Sequence, residues 1–445
     1  MSDSQQTEAS LERERQRSES EARDIIHDVG RLYTFPEERK TRWVWELIQN
    51  AKDVANPEGV DINIHLSGTR LIFSHNGQPF ATKHLLALLY KTSTKSLDGE
   101  GGTTGKYGTG FVTTHILNKK LNILGVYENS LKDRRRFELE IDRSAATLDE
   151  SIALKAMQNS LAITFSAIDK ISNSPAEPID NNFNSFIYEL TPTSYPYAER
   201  GLRELERNLA FTLLINHGGN SLKKINSISI EVEGKNTTYR AAIRQTELNG
   251  ISFVCAGGDR GVLYCNPSDK LIIGIPVKEK ANSFQLLPIT NQAVLFKEFP
   301  LIGTENFNLP VFIQHSDFHP TELRDGIRTK KETEDIDDPT AEKNRRALLE
   351  FVDAYISFIG TIIKANLEDI HQIARSGLPG FVETYSNKLW YTKNIQEPIR
   401  NFILQEKIVR TCAGTLVEIS KAKFPSIQII HDKEFYSLLA RLLPD

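Results

Sequence analysis

Two rhythms of apolar and polar residues run along the chain, and the places where one gives way to the other mark its elements. Residues 1–22 mix Ser, Gln, Glu and Arg with little apolar content besides Leu11. That is too little to bury, so residues 1–24 read as a polar tail. A short helix is expected over 25–32, broken at Tyr33-Thr34-Phe35-Pro36 because proline disfavours helix in the residue before it. A second helix runs from about Pro36 to Ala55 and stops at Asn56-Pro57-Glu58-Gly59. The period then changes to two. Val60, Ile62, Ile64 and Leu66 fall on one side, and after a Ser-Gly-Thr turn Arg70 to Ser74 completes a hairpin of half-buried strands. Leucines at 85, 86, 88 and 89 predict a helix, and another restarts at 111–117. Strands are expected at 121–127, 136–141, 161–165 and 184–190. A helical pattern over 198–215 leads to strands near 225–232, 250–256, 261–265, 271–276, 295–303 and 309–314, and residues 340–372 return to helical spacing.

The second helix carries the first chemical signal. Glu46, Asn50 and Asp53 stand at i, i+4 and i+7, so a helix points all three from one face, with Trp43, Val44, Leu47 and Ile48 on the other. A polar stripe alone is what most solvated helix faces show. Two glycine loops follow, His75-Asn76-Gly77-Gln78-Pro79-Phe80 after the predicted hairpin and Gly101-Gly102-Thr103-Thr104-Gly105-Lys106-Tyr107-Gly108-Thr109-Gly110-Phe111 some 25 residues on. Residues 91–104 are rich in Ser, Thr, Gly and Lys. So long a stretch without apolar content is uncommon in a compact domain unless it is functional, and it reads as a lid over a ligand. A glycine loop entering a helix at 111 would offer free N–H groups to an anion.

Taken in order, these three elements resemble the N box and the two glycine boxes of the GHKL ATPases, the superfamily of gyrase, the large heat-shock chaperone, histidine kinases and MutL. The resemblance is specific over about residues 25–125. The HNGxPF and GKYGTGF forms look most like the sacsin and MORC side of that superfamily. It implies a mixed α/β (α+β) fold, with a GHKL-type ATP-binding domain over 25–194, a transducer-like α/β domain over 195–338 and a mainly helical region over 339–445. The segments 299–304 and 322–328 also have a sacsin-like flavour.

ATP hydrolysis on such a scaffold needs a metal to neutralise phosphate, a base for water and a cation near the leaving charge. The resemblance assigns Mg2+ to the amide oxygen of Asn50 and the general base to Glu46, with Asp53 positioning the loops. It assigns nucleotide contacts to Asn76, Gly77, Lys106, Gly108, Thr109, Gly110 and Phe111, the glycines leaving room for backbone to approach ligand. His75 stands where most relatives carry an Asp that accepts from the adenine amino group. Ser185 is the candidate for a Thr that helps hold adenine. Arg324, ahead of Arg328 and Lys330, matches a basic residue that reaches the γ-phosphate. The implied activity is that of a magnesium-dependent ATPase clamp, dimerising on nucleotide binding. Its use stays open between a chaperone-like module acting on protein clients or a partner subunit, a MORC- or MutL-like subunit of a DNA-processing or anti-phage defence system, and a scaffold that binds nucleotide without turnover.

Composition changes the picture little. With 445 residues, two or three domains are expected. A net charge of -4, from 54 basic and 58 acidic residues, gives no global field for nucleic acid and leaves a local patch open. Cys255, Cys265 and Cys412 are too few and irregular for a disulfide framework or zinc site, which points to a reducing, cytoplasmic setting. No signal peptide or membrane-spanning run is evident. His315 and His319 have metal-like spacing only if helical, and the surrounding sequence reads as strand and loop.

Overall fold

A computed structural model of the chain describes residues 8–89, 110–218, 223–331, 338–375, 386–411 and 413–423. The expected lid, together with Lys106, Gly108 and Thr109, lies outside them. The chain divides into two compact units, one of residues 1–209 and 215–240, the other of 210–214 and 241–445. The architecture is mixed α/β (α+β).

The first unit is built on a seven-stranded sheet. Its elements in order are α1 (Glu8–Leu32), α2 (Trp43–Asp53), β1 (Val60–Ser67), β2 (Arg70–His75), α3 (Thr82–Ala87), β3 (Lys120–Glu128), β4 (Arg134–Asp142), α4 (Glu150–Asn173), β5 (Asn184–Glu189), α5 (Tyr195–Asn216), β6 (Ile225–Val232) and β7 (Lys235–Tyr239). The strand order is β4-β3-β5-β2-β1-β6-β7. All neighbours pair antiparallel except β1 and β6, which run parallel from Val60 opposite Ile225 to Leu66 opposite Val232. That pairing draws residues 225–239 into the first sheet.

The β1–β2 hairpin forms as the alternation predicts, with Val60, Ile62, Ile64 and Leu66 buried. Two other expectations give way to helix. Residues 161–165 sit inside α4, because the buried positions Ala153, Met157, Leu161, Thr164, Ile168 and Ile171 recur at helical spacing over a longer window than that apolar run. The polar tail and the short helix after it are one helix from Glu8. Its exposed half is supported by side-chain bonds of Glu12 to Arg15 and Gln16 and of Arg17 to Glu21. Its other half packs Ala22, Ile25 and Val29 against Ala145, Met157 and Leu161.

The second unit holds an eight-stranded sheet in the order β14-β13-β15-β11-β10-β9-β8, with β12 pairing off β11. Its strands are β8 (Ala242–Gln245), β9 (Ser252–Gly257), β10 (Arg260–Ser268), β11 (Leu271–Glu279), β12 (Phe284–Leu286), β13 (Leu295–Lys297), β14 (Phe299–Pro300) and β15 (Phe312–His315). Helix α6 (Pro339–Lys364) buries Leu348, Phe351, Val352, Tyr355 and Ile359 and is capped by Asp338, whose side chain accepts from the N–H groups of Thr340 and Ala341. Helices α7 (Lys388–Tyr391) and α8 (Glu397–Gln405) and the hairpin of β16 (Lys407–Arg410) and β17 (Leu416–Glu418) follow in the same unit. Among the described residues, no helix is long and apolar enough to cross a membrane.

Candidate functional site

Helix α2 is anchored by its apolar side chains. Trp43, Val44, Leu47 and Ile48 are fully or almost fully buried, each stabilising the fold by about 1.5–3 kcal/mol. The Trp43 indole donates to the Tyr197 carbonyl at 3.1 Å and the Trp45 indole to Glu204 at 2.7 Å. Thr41, just before the helix, bonds the same carboxylate. Gly201 of α5 faces Trp43 so closely that a Cβ there would lie 2.5 Å from the indole nitrogen. The polar side of the helix is buried as well. Glu46, Gln49, Lys52 and Asp53 are all buried, and Asn50 is the one half-exposed residue of α2. Glu46 and Asp53 are therefore not members of a solvated stripe.

A buried carboxylate needs a partner. Arg42 supplies it, one turn before Glu46, with Nη2 at 2.8 Å from Oε1 and both side chains only 9% exposed. The other carboxylate oxygen meets Gly110, where a Cβ would overlap Glu46 Oε2. The end of the second glycine box thus lies directly against the candidate base. Gly110 has φ -63, and Gly77 is not among the positive-φ residues. Both are glycine for space, not for the left-handed backbone that usually calls for it. A Cβ on Gly77 would lie 2.7 Å from the Val54 carbonyl. After Gly110 the chain forms a 3-10 helix, Phe111–Ile116, instead of an α-helix. The hydroxyls of Thr113 and Thr114 donate to the carbonyls of Gly110 and Phe111 and favour the tighter turn.

The His75–Pro79 loop is fixed on every side. Gln78 N–H donates to the Val54 carbonyl at 2.8 Å, and Asn56 Nδ2 to the Asn76 carbonyl at 2.8 Å. The Asn76 side chain is taken up by Asp61, accepting from its N–H at 2.7 Å and donating to its carboxylate at 3.0 Å, and Ser227 donates to the same carboxylate. His75 is buried with Nδ1 accepting from Gly77 N–H at 3.2 Å, and burial pulls its pKa from 6.5 to about 4, so the ring is neutral.

The strand register decides which residue of β5 shares the face of His75. Asn184 lies opposite His75, and Ser185 lies opposite Ser74, with their hydroxyls 3.0 Å apart. Successive residues of a strand point to opposite faces, so Ser185 lies away from His75 and Asn184 lies beside it. Asn184 donates to the Gln78 carbonyl at 3.1 Å and accepts from Val126 N–H at 3.2 Å. Sequence reading missed Asn184 and Arg42. The first could have been found from register alone, and the second from its i, i+4 spacing to Glu46.

Phe111 is buried and its ring lies 5.8 Å from that of Phe186, which in turn stacks on His75 at 6.3 Å. Glu46, Gly110, Phe111 and His75 are thereby linked through adjoining contacts. Asp53, on the last turn of α2, offers its carbonyl to Lys223. A cavity of about 1020 Å³ opens beside the same loop, lined by Asn56, Gln78, Pro79, Thr82 and Tyr127 among others, and its walls include none of Glu46, Asn50, Asp53 or His75. The candidate site is the carboxylate side of the loop. Arg324 belongs to the second unit, in the turn 321–326, with φ 49 and Nη2 donating to the Lys297 carbonyl at 3.0 Å. In that unit His315 pairs with Glu350, and among the described residues no group of three or more metal-ligating side chains is assembled anywhere.

No protein-family model matches the chain, and no curated protein matches it significantly. Among solved structures it is similar to the ATPase region of Saccharomyces cerevisiae topoisomerase II, with 13% identity and a TM-score of 0.37 over 64% of this chain and 76% of that one. It is also similar to that region bound to ICRF-187 (dexrazoxane), with 13% identity and a TM-score of 0.33 over 59% and 62% of the two chains. At such scores the likeness carries no weight, and the site rests on its own geometry.

Proposed function

We propose that this chain is a magnesium-dependent ATP-binding and hydrolysing clamp of the GHKL superfamily, on its sacsin and MORC side. The observation that carries this reading is the meeting of Glu46 and Gly110. A buried carboxylate approaches the end of a glycine loop at a distance that only glycine allows, while Asn50, one turn further along α2, remains half-exposed. The donor set suits the ion. A neutral amide oxygen is a hard ligand for Mg2+ that adds no negative charge beside a triphosphate. When bound at Asn50, Mg2+ neutralises phosphate charge.

Glu46 accepts the proton of the attacking water through the carboxylate oxygen that faces Gly110, while Arg42 holds the other oxygen and fixes the rotamer. His75 and Asn184 shape the base end, and a cation of the second unit, Arg324 first, approaches the γ-phosphate on closure. Nucleotide state then drives closure or dimerisation, since a ligand shifts a conformational balance by its differential affinity for the two states. The near-neutral surface, -4 overall, favours a protein client over nucleic acid.

The test is Glu46→Gln in the full chain, by calorimetry with Mg-ATP and by phosphate release. Binding should persist within a few-fold while turnover falls by about 10²–10⁴. Unchanged turnover, or lost binding, would remove Glu46 from the role of base.

A further inference from the structure

Two buried histidines use the same backbone device. At His315, Asp317 N–H donates to Nδ1 at 3.0 Å, and Nε2 meets the Glu350 carboxylate at 3.2 Å. At His75, Gly77 N–H donates to Nδ1 at 3.2 Å. A neutral imidazole carries one hydrogen, and an Nδ1 that accepts leaves it on Nε2. Turning the ring over would set a carbon against the Gly77 N–H and orphan that donor. The loop cannot swing the N–H away either, since Gln78 is bonded to Val54 and Asn184, and Asn76 to Asp61. The tautomer of His75 is therefore written by the backbone. Its outer nitrogen is a donor, and among the described residues no side chain or carbonyl answers it as Glu350 answers His315. Register puts His75 on the face of Asn184 and Phe186, the face that Phe111 covers next to Gly110 and Glu46.

We propose, resting on the nucleotide reading above, that His75 donates a hydrogen bond to the base. The site thus takes purine nucleoside triphosphates through an acceptor on the six-membered-ring edge and makes no use of the 6-amino group. A carboxylate at this position accepts from that amino group, so the polarity of the contact is reversed. The acceptor is N1 of adenine or unsubstituted purine, whereas a 6-oxopurine carries N1–H there and sets donor against donor. An amino group aimed at Nε2–H would set donor against donor and leave both unpaired.

The experiment is equilibrium binding of the full chain, with Mg2+, to ATP, purine riboside triphosphate, inosine triphosphate and 1-deaza-ATP. Purine riboside triphosphate should bind within about threefold of ATP, whereas inosine triphosphate, whose N1 carries a hydrogen, and 1-deaza-ATP, which keeps the amino group and loses the ring acceptor, should bind about tenfold or more weaker. His75→Asp should invert the order, favouring ATP over purine riboside triphosphate by about tenfold or more. The series on the unaltered chain decides the matter whether or not that variant folds. ATP bound tenfold tighter than purine riboside triphosphate, or 1-deaza-ATP bound as tightly as ATP, overturns the proposal. Failure of every nucleotide to bind overturns the nucleotide reading itself, and the base contact falls with it.

Discussion

His75 in the first unit and His315 in the second are both buried at the end of a strand, and both accept from the backbone two residues on. They part at the outer nitrogen. His315 hands it to Glu350 and so ties β15 to α6, whereas at His75 no side chain or carbonyl of the described residues meets it. The same contrast runs through the neighbouring buried groups. In the second unit Asn344 closes on the protein at all three of its bonds, to His319 N–H, the His319 carbonyl and the Arg328 carbonyl. In the first unit Glu46 has one oxygen satisfied by Arg42 and the other turned to a glycine. Closed polar networks hold a fold together, and networks with one open end are where a ligand enters.

The comparison can be strained in three ways. The largest effect is acid loss of the first unit. The folded pKa of His75 is about 4 against 6.5 unfolded, so the unfolded chain takes up the proton first. Stability is full above about pH 6.5 and falls as pH drops toward 4, by at most about 3 kcal/mol from this residue. His115, pulled to about 3 chiefly by burial with Arg143 adding to it, acts in the same direction. Hydrogen exchange read strand by strand in β2 and β3 between pH 7 and pH 4 measures it, and flat protection would contradict a neutral His75. Next, His315→Leu removes the partner of Glu350 and of Asp317 N–H, and the second unit should lose about 1–2 kcal/mol in urea with nucleotide affinity untouched. A weaker nucleotide affinity would show that His315 is not merely structural. The smallest effect expected is in Gly110→Ala, where the added methyl must displace the Glu46 carboxylate. Turnover should fall about tenfold, worth roughly 1.4 kcal/mol, with ATP affinity nearly kept; normal phosphate release would mean that the approach of Gly110 to Glu46 is incidental.

What the sequence made legible follows from range. Alternation over β1 and β2 and the i, i+4, i+7 stripe of α2 are local patterns, and they were readable without any partner in view. The apolar run at 161–165 was too short to separate strand from helix until Met157, Ile168 and Ile171 were counted with it. That Ser185 faces away from His75 is not legible locally, because a strand's facing depends on its neighbour's register, which a shift of one residue inverts. The place of residues 225–239 in the first sheet is not legible locally, because their parallel pairing with β1 spans more than 150 residues of chain. The burial of Glu46 likewise depends on the distant Gly110, and that of Trp43 on Gly201 of α5, neither of which α2 itself announces.

That last packing has a practical side. Two of the chain's three tryptophans, Trp43 and Trp45, lie in the turn before Glu46 on α2 with their indole N–H groups bonded to α5. The third, Trp390, lies in the other unit. With Trp390→Phe in the background, intrinsic emission becomes an optical gauge of a single helix, and occupancy of the site can be followed in real time without attaching a dye.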